Sequence, residues 1–168
     1  LVDKPGAAQS SVSIGQVGVD RANPDYYALQ VMNSILGGGG AARLFMNLRE
    51  DKGYTYGAYS RFTFRRGAGP FSAYAEIQTG STKEAVVEFM KELNGIRGGI
   101  PVTKDELENN KQSLIRRFPG GFEAVGQISA QLANLYIYGL PDAYFNDYIR
   151  NINAVSADDI TRVANKYL

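Results

Sequence analysis

Arg49 and Tyr56 are the two residues whose types and spacing could serve a chemical reaction. The pattern predicts that Arg49 lies in the last turn of a helix and that Tyr56 begins the next strand, with Gly53 reversing the chain between them. A guanidinium and a phenol both donate hydrogen bonds, and together they suit a peptide carbonyl oxygen that is becoming an oxyanion. A purely structural role for each residue remains an alternative. An arginine near a helix C-terminus often interacts with the helix dipole, and a tyrosine on a strand often belongs to the core.

The chain contains no histidine and no cysteine. Histidine is the commonest zinc ligand and the usual general base near neutral pH, so Ser-His-Asp and Cys-His mechanisms are excluded. A catalytic zinc site built from carboxylates alone would be unusual. We therefore expect no metal site in this chain, and any hydrolytic chemistry must come from elsewhere.

Four consecutive glycines, Gly37, Gly38, Gly39 and Gly40, precede the helix that carries Arg49. Glycines before a helix can bind phosphate, but the lysine and hydroxyl residue of a nucleotide loop are missing after them. Two interpretations remain open. The loop is a flexible connection in which glycine supplies positive φ, or it is a peptide-contacting loop that another chain can approach closely.

Composition predicts one domain, because 168 residues with 44% hydrophobic content can build one core. The net charge of +1 argues against nucleic acid as a partner, although residues 60–67 alternate aromatic and basic side chains on a predicted strand. No apolar run approaches the roughly 20 residues that span a bilayer, so we expect no membrane span.

The elements that must position these residues follow from periodicity and turn signals. The strongest strand signal is a hairpin, and capping pairs at Ser81/Glu84, Thr103/Glu106 and Ser156/Asp159 mark three helix starts. The sum predicts an α+β fold, a mostly antiparallel sheet with helices on one face. The sequence ends in a helical pattern, which suggests an excised piece that lacks its last strand. The predicted strands cover 9–20, 54–66 and 71–80, and the predicted helices cover 25–36, 42–52, 81–94, 103–118, 122–138 and the tail.

A family resemblance emerges from four segments taken in order. "VDKPGAAQSSVSIG" and "PDYYALQVMNSIL" come first, "LGGGGAARLFMNLREDKGYTYGAYS" follows, and "PVTKDELENNKQSL" comes last. Together they resemble the C-terminal-half domain of pitrilysin/insulinase-type zinc metallopeptidases, the group that includes mitochondrial processing peptidase. The resemblance runs over nearly all of residues 1–168.

The resemblance implies that two homologous halves enclose a peptide and have different roles in its cleavage. The other half would carry Zn²⁺ on an H-x-x-E-H motif, whose glutamate is the general base. This half would hold no metal and be inactive alone. It would contribute Arg49 and Tyr56, which bind the substrate carbonyl near the scissile bond. Arg43 and the glycines 37–40 are further substrate-binding candidates, although Ala42 stands where many relatives have serine.

The resemblance also implies alternatives and partners. The same fold serves in non-catalytic subunits of the mitochondrial cytochrome bc1 complex, so a structural or pairing subunit is the rival interpretation. The expected partners are a peptide substrate and the zinc-bearing half. Apolar surface left exposed without that half would favour self-association. Composition does not decide the cellular compartment, and the resemblance to bacterial envelope homologues favours the periplasm.

Overall fold

The computed structural model describes residues 5–168, and a three-stranded antiparallel sheet forms its centre. The strands are β1 (Gln9–Val17), β2 (Thr55–Phe62) and β3 (Pro70–Gln78), in the order β1-β3-β2. The predicted α+β class is confirmed, with β2 and β3 forming the predicted hairpin.

Alternation along β3 shows which face of the sheet is covered. Phe71, Ala73, Ala75 and Ile77 are buried against the helices, while the residues between them are exposed or half-buried. This is the pattern that period-two hydrophobicity predicts for a sheet with one covered face. The central strand therefore turns one face to the core and leaves the other uncovered.

The first strand is shorter than the predicted span 9–20. It ends at Val17, and beyond it the Gly18 N–H donates to the Gly69 carbonyl in the turn of the hairpin at 2.7 Å. β3 begins at Pro70, the partner of Val17, and the hairpin turn precedes it, so β1 has no further residue of β3 to pair with beyond Val17.

Within the described residues 5–168 the sheet is joined by seven helices, with short 3₁₀ or π-helical turns at several of their ends. The predicted helices are confirmed within a few residues, and the tail forms two helices. They are α1 (Tyr26–Gly37), α2 (Arg43–Phe45, continued by a π-helical turn, Met46–Asp51), α3 (Thr82–Asn94), α4 (Lys104–Arg117), α5 (Val125–Tyr138), α6 (Tyr148–Ala154) and α7 (Ala157–Tyr167).

Two of the three predicted caps form, and one does not. Thr103 Oγ1 accepts from the Glu106 N–H at 3.2 Å, and Ser156 makes a reciprocal capping box with Asp159. The prediction at Ser81 was wrong. A 3₁₀ turn (Thr79–Ser81) leads directly into α3, and Ser81 therefore lacks the extended backbone from which a side chain caps a helix.

The core lies between the covered sheet face and α1, α3 and α7. Leu29, Met32 and Ile35 of α1 and Phe89 of α3 are fully buried. Asp25 fastens the start of α1 to α7, since it accepts hydrogen bonds from Arg162, Lys166 and Tyr167. This anchor fixes α1, whose C-terminal end leads into the glycine loop.

Helix α5 differs from the others because none of its residues is buried. Its exposed apolar side chains recur at helical spacing, and Tyr136 is 90% exposed. No helix among residues 5–168 is long and apolar enough to cross a membrane. We call the α5 stripe the exposed apolar residues Val125, Ile128, Leu132 and Tyr136.

Candidate functional site

The turn between α2 and β2 positions both Arg49 and Tyr56. Gly53 has a φ of +66°, so the chain reverses there in the left-handed conformation that glycine allows. The N–H of Gly53 donates to the Arg49 carbonyl at 3.1 Å, and the N–H of Tyr54 donates to the Leu48 carbonyl at 2.9 Å. These bonds close the helix end and start β2 directly above it, as the sequence predicted.

The side chains of Arg49 and Tyr56 converge at the surface. Arg49 Nη1 donates to the Tyr56 carbonyl oxygen at 2.9 Å, and its guanidinium carbon lies 4.6 Å from the centre of the Tyr56 ring. The same carbon lies 5.0 Å from the centre of the Phe45 ring. Tyr56 is 84% exposed and the Arg49 side chain 36%, so both groups are accessible to a ligand.

Several hydrogen-bond donors of this pair are unused. Arg49 Nε faces Glu50 at 3.2 Å in an exposed ion pair, which is worth little in water. Within the part of the chain that the structure covers, neither Arg49 Nη2 nor the Tyr56 hydroxyl has a hydrogen-bond partner. The arrangement can therefore offer donors from a guanidinium and a phenol to one acceptor.

A β-bulge at the start of β2 sets the direction of Tyr56, and sequence reasoning did not predict it. The pairing of β2 with β3 shifts register between Thr55 and Ala58. Buried Thr55 fixes the bulge, since its hydroxyl donates to the Glu76 carbonyl at 2.6 Å and accepts from the Gly57 N–H at 3.2 Å. Bulges re-aim side chains, and the only sequence signal for this one was Thr-x-Gly at a strand start.

The backbone of the glycine loop differs from the interpretation in which its glycines supply positive φ. None of Gly37, Gly38, Gly39 and Gly40 has a positive φ. Gly37 is required for close packing instead, because a Cβ there would lie 2.3 Å from the backbone nitrogen of Ser60 in β2. The other three glycines line an open recess of about 310 Å³ with Asn109, Asn110 and Arg117. Their contact with a peptide stays a prediction.

Arg43 makes four hydrogen bonds within the chain. It pairs with both carboxylate oxygens of Glu106 at 2.7 Å each, and donates to the carbonyls of Ile100 at 2.9 Å and Pro101 at 3.3 Å. Its side chain is only 10% exposed. Arg43 therefore joins α2 to the start of α4, and its predicted contact with substrate would compete with these bonds.

Zinc does not fit the side chains at hand. Within residues 5–168 no group of three or more carboxylates could hold a metal ion. The Arg49–Tyr56 corner presents donors, which repel a cation rather than coordinate it.

Sequence comparison identifies the family. Residues 1–114 match the profile described as "Peptidase M16 inactive domain". The chain therefore belongs to the M16 peptidase family, as its inactive domain, which confirms the resemblance to pitrilysin/insulinase-type zinc peptidases.

Individual relatives are longer than this chain. An "Uncharacterized zinc protease YmxG" of Bacillus subtilis is 28% identical over 168 residues, covering 98% of this chain and 40% of that protein. A "Probable inactive metalloprotease YmfF" of the same species is 25% identical over 173 residues, covering 99% and 38%. The chain thus spans about 40% of the length of these relatives.

Solved structures share the fold. A peptidase M16 inactive domain from Pseudomonas fluorescens superposes with a TM-score of 0.87 at 30% identity, covering 95% of this chain and 38% of that one. A chain of complex III2 from Candida albicans superposes with a TM-score of 0.78 at 16% identity, covering 96% and 40%. At that identity the second comparison concerns the fold alone.

Proposed function

We propose that this chain is the substrate-binding half of a zinc metalloendopeptidase. Arg49 and Tyr56 bind the substrate backbone carbonyl near the scissile bond, while zinc and the general base belong to the other half. The observation that carries this proposal is the exposed corner in which the guanidinium carbon lies 4.6 Å from the Tyr56 ring with unused donors.

The chemical role of the pair is to stabilise negative charge on the carbonyl oxygen. Donors that are already in place when charge develops lower the barrier more than donors that must reorganise. The bond from Arg49 Nη1 to the Tyr56 carbonyl, and the flanking rings of Tyr56 and Phe45, hold the guanidinium before substrate arrives. The remaining N–H groups and the phenol then converge on the substrate carbonyl.

The partner supplies what this chain lacks. A homologous zinc-bearing half, in the same polypeptide or in another subunit, places an H-x-x-E-H site opposite the corner. By itself this chain is expected neither to bind zinc nor to cleave peptides. The lengths of the relatives support this arrangement, since more than half of each lies outside the matched region.

The assembled zinc enzyme allows a direct kinetic test. Arg49→Lys keeps the positive charge but loses the planar fork, and Tyr56→Phe keeps the ring but loses the hydroxyl. Each change should lower kcat by about 10²–10³-fold, the usual cost of removing one oxyanion donor. Arg150→Lys is the matched control, because Arg150 is an exposed arginine whose ion-pair partner within residues 5–168 is Asp147. Wild-type turnover in either site variant would refute the role.

The sheet is proposed to gain a further strand from outside these residues. Among residues 5–168 β1 pairs with β3 alone and its other edge has no strand beside it. The Gln16 side chain on that strand donates to the carbonyl of Tyr167 at the end of α7. A chain continuing from α7 would therefore start beside β1. Alternate β1 amides point away from β3, and hydrogen exchange should show them protected in a longer polypeptide but not in residues 1–168 alone. Equal exchange of these amides in the two polypeptides would contradict the added strand.

A second candidate function is a non-catalytic pairing subunit of the same fold. Two observations favour it, the name "Probable inactive metalloprotease" of one relative and the shared fold with a complex III2 chain. Its Arg49 and Tyr56 variants would then leave the whole assembly unaffected. A partner half whose sequence lacks H-x-x-E-H would support this alternative and overturn the catalytic one.

Self-association is proposed for the isolated chain, through the α5 stripe that a partner half would otherwise cover. The sedimentation coefficient should rise with concentration, and Leu132→Glu should abolish the rise by placing a charge on the stripe. Val87→Glu on α3 is the control, since Val87 is exposed but lies outside the stripe. A monomer at every concentration would contradict this proposal.

A further inference from the structure

A continuous series of rings and guanidinium groups leads away from the Arg49–Tyr56 corner across β2 and β3. Phe45 lies beside Arg49, the Tyr59 ring lies beside Phe45, the Tyr74 ring lies beside Tyr59, and Arg61 lies beside Tyr74. We call these five residues the aromatic–arginine ladder. The successive separations are 5.0 Å from the Arg49 guanidinium carbon to the Phe45 centroid, 6.0 Å for Phe45–Tyr59, 6.1 Å for Tyr59–Tyr74, and 5.5 Å from the Arg61 guanidinium carbon to the Tyr74 centroid.

Tyr59, Arg61 and Tyr74 lie on the face of the sheet that the helices do not cover, and Phe45 and Arg49 join them from the helical segment α2. Tyr59 and Tyr74 are directly opposite each other in the register of β2 and β3, and their neighbours Ala58 and Ala75 point to the core. Across from Tyr74 on β1 stands Ser13, whose short side chain leaves the ring uncovered on that side. Tyr74 is 37% exposed, and Arg61 is exposed as well.

Gly57 makes room for one ring of the ladder. A Cβ at this position would lie 2.7 Å from the Tyr59 hydroxyl oxygen and 2.8 Å from a ring carbon, so the Tyr59 ring rests directly over the Gly57 backbone. Because the ring occupies the space of the missing side chain, it reaches back along the strand towards Phe45. The glycine in the bulge therefore joins the ladder to the corner.

The end of the ladder carries available hydrogen-bond donors. Across residues 5–168 the guanidinium of Arg61 has no ion-pair partner, and its identified contact is the Tyr74 ring. Rings with tilted faces and a guanidinium at the edge form a surface on which another aromatic ring can stack or meet a cation. Such a surface favours an aromatic side chain over an aliphatic one.

We propose that the aromatic–arginine ladder binds an aromatic side chain of the peptide whose carbonyl lies at Arg49 and Tyr56. The proposal rests on the proposed function, because the corner fixes where the peptide backbone passes. An extended peptide advances about 3.3 Å per residue, as β2 does, so the Tyr59–Arg61 stretch lies about three to five residues from the scissile bond. The substrate class is therefore a peptide with an aromatic residue at that distance from the cleaved bond.

Binding to the chain itself provides the first test. The probes are fluorescent Ala/Ser peptides with a single Phe at successive positions, and one peptide without Phe. Fluorescence anisotropy should show one or two registers that bind about 2- to 12-fold tighter than the Phe-free peptide, the range typical of one aromatic stack. Tyr74→Ala and Gly57→Ala should both remove this preference. Equal affinity for all peptides in the wild-type chain would overturn the proposal.

Controls separate loss of the ladder from loss of the fold. Tyr136→Ala removes an exposed tyrosine on α5, far from the ladder in sequence, and should retain the preference for Phe. Arg61→Gln keeps the hydrophobic core intact and should weaken the preference without altering the circular dichroism spectrum. A preference for Phe that persists in Tyr74→Ala, Gly57→Ala and Arg61→Gln would also overturn the proposal.

Kinetics of the assembled zinc enzyme distinguish this proposal from the function on which it rests. Tyr74→Ala should raise KM for the preferred Phe peptide and leave kcat and the Phe-free peptide unchanged, because the ladder binds substrate and transition state alike. Arg49→Lys should lower kcat for both peptides. A change in KM without an effect of Arg49→Lys would refute the oxyanion role alone, whereas the reverse result would refute the ladder alone.

Discussion

Arg43 and Arg49 lie six residues apart on one helical segment, yet the structure gives them opposite environments. Arg43 is nine-tenths buried and makes four hydrogen bonds within the chain, two of them to Glu106. Arg49 is at the surface with one bond to a backbone carbonyl and an exposed ion pair. The family resemblance made both arginines candidates for substrate binding, and the availability of their donors separates them.

The difference arises from what lies opposite each side chain. Arg43 faces the segment that leads into α4 and the first turn of that helix, where the carbonyls of Ile100 and Pro101 and the Glu106 carboxylate converge on its planar fork. Arg49 faces outwards beside the β-bulge, where Tyr56 and Phe45 offer ring faces and few acceptors. An arginine whose donors are bonded within the chain stabilises the fold, whereas an arginine with unused donors can bind a ligand.

Replacement of each arginine by alanine should give the widest difference in stability between two variants. Arg43→Ala leaves the Glu106 carboxylate partly buried without its partner, and should lower the free energy of unfolding by about 3 kcal/mol. Arg49→Ala should cost less than about 1 kcal/mol, as expected for an exposed ion pair. Urea unfolding followed by circular dichroism measures both values. Equal losses for the two variants would show that burial does not separate their roles.

The glycine loop allows the same comparison between two neighbouring positions. Gly37→Ala forces a Cβ against the Ser60 backbone nitrogen and should cost about 2–3 kcal/mol, because neither backbone can move easily. At Gly39 a Cβ would meet nothing within 4 Å, so Gly39→Ala should change stability by less than about 0.5 kcal/mol. Thermal unfolding of the two variants measures both changes in stability. A large loss of stability in Gly39→Ala would contradict the difference expected from the packing of the two glycines.

The contribution of a third arginine, Arg162, can be tested through the pH dependence of the unfolding free energy. Arg162 donates a hydrogen bond to Asp25. Burial disfavours the charged carboxylate of Asp25 and raises its pKa. The hydrogen bonds from Tyr167, Arg162 and Lys166 outweigh burial and lower the pKa of Asp25 below 3.8. Because the folded pKa is lowered, this stabilisation is complete above the unfolded pKa and is lost as pH falls through the folded one. Unfolding free energy measured from pH 6 to pH 2 should fall less steeply in Asp25→Asn.

The control for the pH experiment is Asp142→Asn, which removes an exposed carboxylate in the loop after α5. Its pH profile should follow that of the wild-type chain. Parallel profiles for wild type and Asp25→Asn would mean that Asp25 is not stabilised by its three donors. This effect should be the smallest of the three, because two of those donors, Arg162 and Lys166, are themselves exposed.

Local signals were sufficient to predict much of the fold and the corner of the candidate site. Period-two hydrophobicity predicted β3, and Gly53 together with the strand that follows it predicted that Arg49 and Tyr56 converge. Both features depend on residues close in sequence, where backbone preference and solvent exposure act directly.

Features that depend on distant residues could not be predicted in the same way. The partner of Arg43 lies 63 residues away, and the constraint on Gly37 comes from Ser60 on another element. The ring of Tyr59 rests over Gly57 only because the bulge at Thr55 shifts the register against β3. Even the cap predicted at Ser81 failed, because a 3₁₀ turn joined β3 to α3 without a break.

We infer that the Arg49–Tyr56 corner binds a transition state more tightly than a ground state. This inference is tested by the inhibition constant of a phosphinic peptide, which mimics the tetrahedral intermediate, against the assembled zinc enzyme and its Arg49→Lys and Tyr56→Phe variants. We expect inhibition to weaken by about 10²–10³-fold in each variant, in proportion to the loss in kcat/KM. Inhibition within threefold of wild type in both variants would refute preferential binding of the transition state.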